Sequence, residues 1–510
     1  MEEPQGQLSR LACTTCRRQK RKCTRELPSC HLCRKNDRRC TYPEDTRPDK
    51  ISLNAVSFPN SIFSPKTMFP ALFFLDSYTF KQRGSAIKHP PIPDIPQEFL
   101  EILNRGQEKL SQLIESFFTT AHSVFPIVSK RCLSQQLSSE GYHCPEILLL
   151  LHCMDILVPR RDHAAFNLQT GYFKARRCLH FVEDRGVISI RVLQAALLLS
   201  LYEVGHAIYP AAFLTVGECA RLGHALGIHD RRNVTQMFPA SMSWSAMEEI
   251  RRTWWGVIIL DRFVNLGLPD RPFACEDARP EDLLPMDESL WDLGEQTITP
   301  SLAVSSSTDL PASPFARTCQ AANLLSRVLT HIRIGQSLRS PASYYSEGLQ
   351  LHSILSSFRL ALEQEVSEQE SFKLALYSSA LGICFSAIVA LYDNHTCADK
   401  DDVAGVGIPE QLKMQELSLR GLHEVGRSIW DFASHLSLLL DGPGDIGRTV
   451  GPFAAECLYA AATQYGWYIQ ETGNKELEEA VSSMKKALRL IGPSWTVGDK
   501  YLTILDGEDS

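Results

Sequence analysis

Signals for secretion or membrane insertion are missing from this 510-residue sequence. Residues 1–12 contain acids and Pro4 but no apolar core of the kind a secretory leader needs, so secretion is not expected. No apolar run approaches the ~18 residues that span a bilayer. The longest candidates, 147–151 and 195–201, are short and read as buried helix faces, so no membrane partner is expected. Catalytic signatures are also absent. There is no H-E-x-x-H, no Walker A glycine loop and no G-x-S-x-G elbow, so the chain is not expected to be an enzyme. Strand-like alternation is scarce, and no internal repeat of fixed period emerges.

What is present is cysteine and a concentrated block of positive charge. Sixteen cysteines in a large chain without a leader imply a reducing compartment, where clustered thiols favour metal over disulfide. Residues 10–40 carry eleven Lys and Arg against Glu26 and Asp37, a net of +9. The whole chain has a net charge of −7, so everything else amounts to −16. A strongly cationic unit on an acidic body points to a polyanionic partner for that unit.

Composition divides the chain into residues 1–43 (cysteine and basic charge), a Pro/Ser-rich linker at 44–97, helical regions at 98–291 and 313–510, and a serine-rich flexible loop at 292–312. The linker prolines forbid a continuous helix. Its segment 68–75 is too apolar to stay solvated and is expected to dock, leaving the linker partly docked. Apolar positions at three- and four-residue spacing predict one helix through Leu110, Leu113, Ile114, Phe117, Phe118 and Ala121, ended by Pro126. Further helices are expected near 145–157, 163–183, 190–204, 211–227, 246–266, 314–338, 346–364, 371–394, 409–440, 450–471 and 475–490. The stretch 248–265 is apolar around most of its circumference and reads as a central helix. The expected fold is a small cysteine module, a linker and a large all-α domain.

The cysteines fall at Cys13-x2-Cys16-x6-Cys23-x6-Cys30-x2-Cys33-x6-Cys40, a duplicated C-x2-C-x6-C unit. Zinc prefers four tetrahedral ligands, so three cysteines per half leave each site one short. Two Zn2+ ions each reach four-coordination if two thiolates bridge them. Metal would then supply most of the folding free energy of so short a segment. Three disulfides, or a single four-cysteine site with two spare thiols, are the alternatives; the regular spacing and the interleaved basic residues favour two zincs.

The run Ala12-Cys13-Thr14-Thr15-Cys16-Arg17-Arg18-Gln19-Lys20-Arg21-Lys22-Cys23 and the ending Cys40-Thr41-Tyr42-Pro43 resemble the fungal Zn2Cys6 binuclear-cluster transcription factors. The resemblance implies that Cys13 and Cys30 bridge the ions and that a short helix after the second cysteine enters the major groove of double-stranded DNA. It implies that Lys20 reads the guanines of a CGG-type triplet, whose O6 and N7 are both acceptors. Arg17, Lys22 and Arg25 match phosphate-gripping positions, with Arg18 and Arg21 as further contacts. Gln19 stands where the family is often basic, and Pro28 matches the proline between the halves. A nuclear regulator of RNA polymerase II genes follows, with the basic run serving in nuclear import as well.

Residues from about 110 to 290 resemble the regulatory domain that accompanies this cluster. The resemblance rests on Phe117-Phe118 with Val124-Phe125-Pro126-Ile127, on the run 193–202, and on Glu249-Ile250-Arg251-Arg252-Thr253-Trp254-Trp255 followed by Leu260-Asp261-Arg262 and Asp270-Arg271-Pro272. Arg251, Arg252, Asp261 and Arg262 need partners if buried, and an internal ion-pair network is expected ahead of a ligand-sensing role. The ten cysteines outside the cluster, and His224 and His229, read as structural. Many relatives carry a coiled coil after the cluster. Residues 44–97 show no heptad, which favours a homodimer formed through the α-helical body over a monomer. Acidic Glu363, Glu365, Glu368, Glu370, Asp506, Glu508 and Asp509 are candidates for recruiting transcription machinery or co-regulators, or simply an exposed polar face. Length, linker and body resemble regulators of secondary-metabolite gene clusters. The competing expectation is a co-regulator whose zinc cluster binds protein instead of DNA.

Overall fold

The computed structural model describes residues 9, 12–19, 21–42, 71–82, 94–142, 144–158, 168–230, 238, 242–294, 301–335, 341–366, 371–396, 409–442 and 449–507. They belong to two units, Met1–Ser64 and Pro65–Ser510. The first holds two five-residue helices, α1 (Thr14–Arg18) and α2 (His31–Lys35). The second is helical throughout, and among the described residues its only extended pairing is an isolated antiparallel bridge between Leu283 and Ala303.

The body helices start and stop where local chemistry dictates. Pro145 and Pro314 open the helices Pro145–Leu157 and Pro314–Ile334 at first-turn positions, where the missing N–H costs nothing. Ser189, Ser243 and Ser313 cap Ile190–Gly205, Trp244–Phe263 and Pro314–Ile334 by accepting from the N–H three residues on. Gly227 ends Ala211–Leu226 in the left-handed conformation (φ 73°), which glycine adopts without a Cβ clash.

One hydrophobic core extends from Phe99 to Leu502. Trp244–Phe263 packs against Ile190–Gly205, Ala211–Leu226 and Pro314–Ile334, and so ties the two helical regions together. Ser371–Thr396 packs against Pro314–Ile334, Pro341–Val366, Pro409–Asp441 and Phe453–Thr472. By length and composition Phe372–Thr396 is apolar enough to cross a membrane, which corrects the expectation that no such stretch exists. Small residues and serines interrupt its apolar run in sequence. With 83% of its apolar window buried, it is a core helix.

Other expectations are also corrected. The single helix through 110–121 is two, Gln107–Thr119 and Ala121–Val124. Thr120 breaks it at φ −125°, ψ −90°, with its hydroxyl donating back to the Ser116 carbonyl at 2.6 Å. Lys130–Glu140, Glu288–Leu293 and Val497–Leu505 were not anticipated. The first carries few apolar residues, and the other two are short. The loop at 292–312 is held in place where it is described: the Leu284 N–H donates to Leu302 O at 2.8 Å and the Val304 N–H to Asp282 O at 2.9 Å. Most of the linker lies outside the described residues. Of the apolar segment, Leu72–Leu75 forms a helical turn in which Leu72 and Phe73 are half-buried and Phe74 and Leu75 exposed.

The charged residues of the central helix are consumed internally. Arg252 is fully buried, donates to Glu248 Oε1 at 3.0 Å and to the Met286 carbonyl at 2.5 Å, and lies 4.2 Å over the Trp291 ring. Arg251 pairs with the other Glu248 oxygen. Arg262 donates to Asp261 at 2.5 Å, Asp277 at 2.9 Å and Ser326 at 2.7 Å. Asp261 in turn accepts the N–H groups of Ala274 and Cys275. These residues form the ion-pair network.

Candidate metal centre and nucleic-acid interface

The two halves of the cysteine module have nearly the same backbone. Cys13 (φ −60°, ψ 153°) caps α1 and Cys30 (φ −66°, ψ 152°) caps α2. Each Sγ accepts the N–H of the second cysteine of its pair, Cys16 or Cys33, at 3.4 Å. A C-x2-C pair arranged in this way turns both sulfurs to one side of a single helical turn. The halves are tied together by bonds from the Thr14 N–H to Thr41 O at 2.9 Å and from the Thr15 hydroxyl to Arg39 O at 2.8 Å. The Tyr42 hydroxyl also donates to Glu26 O at 2.7 Å.

Six sulfurs converge as two overlapping groups of four: Cys13, Cys16, Cys23 and Cys30, and Cys13, Cys30, Cys33 and Cys40. Within each group all sulfurs lie within 4.8 Å of one another, and Cys13 and Cys30 belong to both. Cys13 and Cys30 Sγ are 3.8 Å apart, Cys16 and Cys30 3.6 Å, and Cys13 and Cys33 3.7 Å. A tetrahedron with ~2.3 Å zinc–sulfur bonds has edges of ~3.8 Å, so the donor set fits zinc. A disulfide needs ~2.05 Å, so these are not disulfides. Burial pushes the thiols of Cys13, Cys16 and Cys33 up, Cys33 to about 12. At Cys23 and Cys40 burial is outweighed by hydrogen bonds, foremost from the N–H groups of Cys13 and Arg25 to Cys23 and of Cys30 to Cys40, and both fall to about 7. A dicationic metal stabilises every thiolate in such a cage, so binding releases protons.

The cations stand outside the cage. Arg17, Arg18, Arg21, Lys22 and Arg25 are all exposed. Among the described residues, Arg17, Arg18, Arg21 and Lys22 make no ion pair with an acid. Lys20 lies outside the described residues. The helix differs slightly from expectation: α1 begins before the second cysteine and ends at Arg18, with Gln19 as its C-cap. Gln19 is occupied by Arg38, whose Nη1 donates to its side-chain oxygen at 2.6 Å. This cross-link between the halves was invisible in the linear spacing.

Elsewhere, seven of the nine described cysteines outside the module are buried. In the body an open cleft of about 1380 Å³ is lined by Phe73, Phe213, Phe273, Glu183, Glu218 and Arg221, and by His224 and His229. The two imidazoles lie 4.9 Å apart and rest against Trp254. No pattern along the chain marks this cleft, because its walls come from segments far apart in sequence.

Residues 11–49 match the fungal Zn(2)-Cys(6) binuclear cluster domain, and residues 114–378 match the fungal specific transcription factor domain. The second match runs past residue 291, as the continuous core does. Transcription factor BOA15 of Botryotinia fuckeliana is 39% identical over 184 residues, which is 35% of this chain and 98% of that protein. The pigment biosynthesis transcriptional activator pigB of Monascus ruber is 26% identical over 299 residues, 51% of this chain and 52% of pigB. The arabinolytic transcriptional activator araR of Emericella nidulans is 52% identical over 48 residues, 9% of this chain and 6% of araR. Apart from BOA15, then, the chain spans about half or less of these relatives' lengths. With a cage of thiols in residues 11–49 and a helical body that carries the second match, the chain belongs to the fungal Zn2Cys6 transcription factors, zinc-binding and DNA-binding regulators that are not enzymes.

Proposed function

We propose that the chain binds two Zn2+ ions through Cys13, Cys16, Cys23, Cys30, Cys33 and Cys40, and reads CGG-type triplets in the nucleus to control RNA polymerase II genes. The observation that carries the zinc count is the pair of four-sulfur groups with two members in common, which gives each of two ions four ligands from six thiolates. Arg17, Arg18, Arg21, Lys22 and Arg25 grip phosphates, and Lys20 reads guanine. The exposure of all five, and the absence among the described residues of an ion pair at Arg17, Arg18, Arg21 and Lys22, support the first role, and the two acceptors on the guanine edge favour lysine for the second. Dimerisation through the helical body would double a footprint that is otherwise one triplet long, and residues 44–97 offer no heptad to do so. Control of a secondary-metabolite cluster is supported by the pigment biosynthesis activator among its relatives.

A gel shift with the full chain tests this reading. A duplex containing CGG triplets should be retained over a scrambled one, the preference should vanish with a zinc chelator, and Zn2+ should restore it. Lys20→Ala should cost ~1–3 kcal/mol on the triplet duplex and almost nothing on the scrambled one. Equal affinity for both duplexes in the parent chain would rule out triplet reading and favour a co-regulator.

A further inference from the structure

We propose that the second half of the cysteine module is a backbone clamp for the same duplex, with Lys35 and Arg39 at its centre and Arg34 and Arg38 beside them, and that it holds phosphates without reading bases. The inference rests on the preceding reading that the module binds duplex DNA.

The cysteine repeat has an offset of 17 residues, and the charges keep the same offset. Arg17 corresponds to Arg34, Arg18 to Lys35, Arg21 to Arg38 and Lys22 to Arg39. The backbone repeats with them. The Arg17 N–H donates to Cys13 O and the Arg34 N–H to Cys30 O, both at 3.0 Å. The Arg21 N–H reaches Cys16 O at 3.0 Å and the Arg38 N–H reaches Cys33 O at 2.9 Å. Four cations of the first half therefore have basic counterparts in the second, two of them held by matching backbone bonds.

The repeat of charge breaks at Arg25, which corresponds to Tyr42, and more tellingly at the reading position. Lys20 corresponds to Asp37. Guanine presents two acceptors to the major groove, which an ammonium can meet and a carboxylate cannot. The second half has kept the cations that position and lost the one that reads.

Arg34, Lys35, Arg38 and Arg39 are all exposed. Arg34 is held by Glu26 at 2.8 Å and Arg38 by Gln19 at 2.6 Å. Among the described residues Lys35 and Arg39 make no ion pair. The Arg39 carbonyl is anchored by Thr15 of α1, and Arg38 by Gln19 at the end of α1. The second set of cations is thereby fixed beside the helix that carries the first.

The test uses the full zinc-loaded chain carrying Lys35→Ala and Arg39→Ala together. Fluorescence anisotropy is read on a CGG-containing and a scrambled duplex across a salt series, with zinc content as a check on the fold. The expected result is an affinity loss by the same factor on both duplexes. The slope of log K against log salt should shrink by about two, one for each phosphate contact removed. An unchanged slope with full zinc content, while Lys20→Ala still removes triplet preference, overturns the clamp and leaves the DNA reading intact. A loss confined to the CGG duplex also overturns it, because the residues would then be readers. If parent and all variants bind both duplexes alike, the DNA reading itself fails and the clamp fails with it.

Discussion

The cysteine module and the helical body treat charge and apolar surface in opposite ways. In the module, α1 buries only Cys16 and α2 only Cys33, and the buried cluster consists of Cys13, Cys16, Cys30 and Cys33. Its described cations face water, and Arg17, Arg18, Arg21, Lys22, Lys35 and Arg39 make no ion pair among the described residues. In the body, Ile190–Gly205 buries fifteen of its sixteen residues, and the arginines of Trp244–Phe263 are enclosed with carboxylates and carbonyls. The module's fold is thus a consequence of metal binding, and its charge is left available for a polyanion. The body's fold is a consequence of apolar burial, and its charge is spent on internal specificity.

The largest expected effect separates the two directly. All seven tryptophans lie in the body, from Trp244 onward, so their fluorescence reports the body alone. A zinc chelator, or Cys13→Ser, should unfold the module and abolish triplet-specific binding, because structural zinc contributes ~10–16 kcal/mol. The tryptophan-detected thermal midpoint should not move. Cys13 or Cys30 should be less tolerant of replacement than Cys16, since each serves both four-sulfur groups. A fall in the tryptophan midpoint on chelation would show that the two regions are not independent.

Next in size is the buried ion network. Asp261 is 2% exposed and holds Arg262 together with the Ala274 and Cys275 N–H groups. Asp261→Ala leaves a buried guanidinium with one partner fewer and should cost ~3–5 kcal/mol, read as a lowered urea midpoint by tryptophan emission. Zinc content should be unaltered. Below it comes a steric test of the apolar core. A Cβ on Gly382 would sit 2.6 Å from the Phe453 carbonyl oxygen and 2.9 Å from Ala454 Cα, backbone atoms that cannot swing aside. Gly382→Ala should therefore destabilise the body by ~1–3 kcal/mol in the same assay.

The same contrast explains what the sequence revealed. The module's chemistry is periodic in sequence, so the gathering of its six cysteines into two four-sulfur groups and the concentration of cations around them were legible from spacing and resemblance. The long body helices were legible too, because their faces repeat at three and four residues and serine, proline or glycine marks their ends. What escaped was whatever depends on contacts between distant segments. The contact of Gln19 is not visible in the spacing because its partner, Arg38, is nineteen residues away. The pinning of 301–304 to 282–284 was hidden by a serine content that reads as a loose loop. Lys130–Glu140 was missed because Ser129 supplies its cap while few of its residues are apolar.

The smallest expected effect is a loss of stability of the body in acid. His395 Nε2 lies 3.0 Å from His331 Nε2, and His331 Nδ1 is 2.8 Å from a Glu347 oxygen. The Tyr344 and Tyr345 rings lie 5.3 and 5.8 Å from the His395 ring, centroid to centroid. Burial, and then the facing imidazole of His331, bring the pKa of His395 down to about 3. The folded state therefore keeps this ring neutral while the unfolded chain takes up a proton below ~6.5. Between those values the unfolded state binds more protons, so stability falls as pH falls, by ~1.4 kcal/mol for this group at pH 5.5. His122, His152, His206, His224 and His352 are shifted the same way by burial, so the parent chain alone cannot isolate the effect. The measurement is the difference between pH 7.5 and 5.5 in urea unfolding, followed by tryptophan emission, for the parent and for His395→Asn. The variant should be weaker at pH 7.5 yet lose less on acidification. An equal loss in both would mean that His395 is protonated in the folded body, paired with Glu347 through His331, and that the body tolerates one more buried charge than its arginines account for.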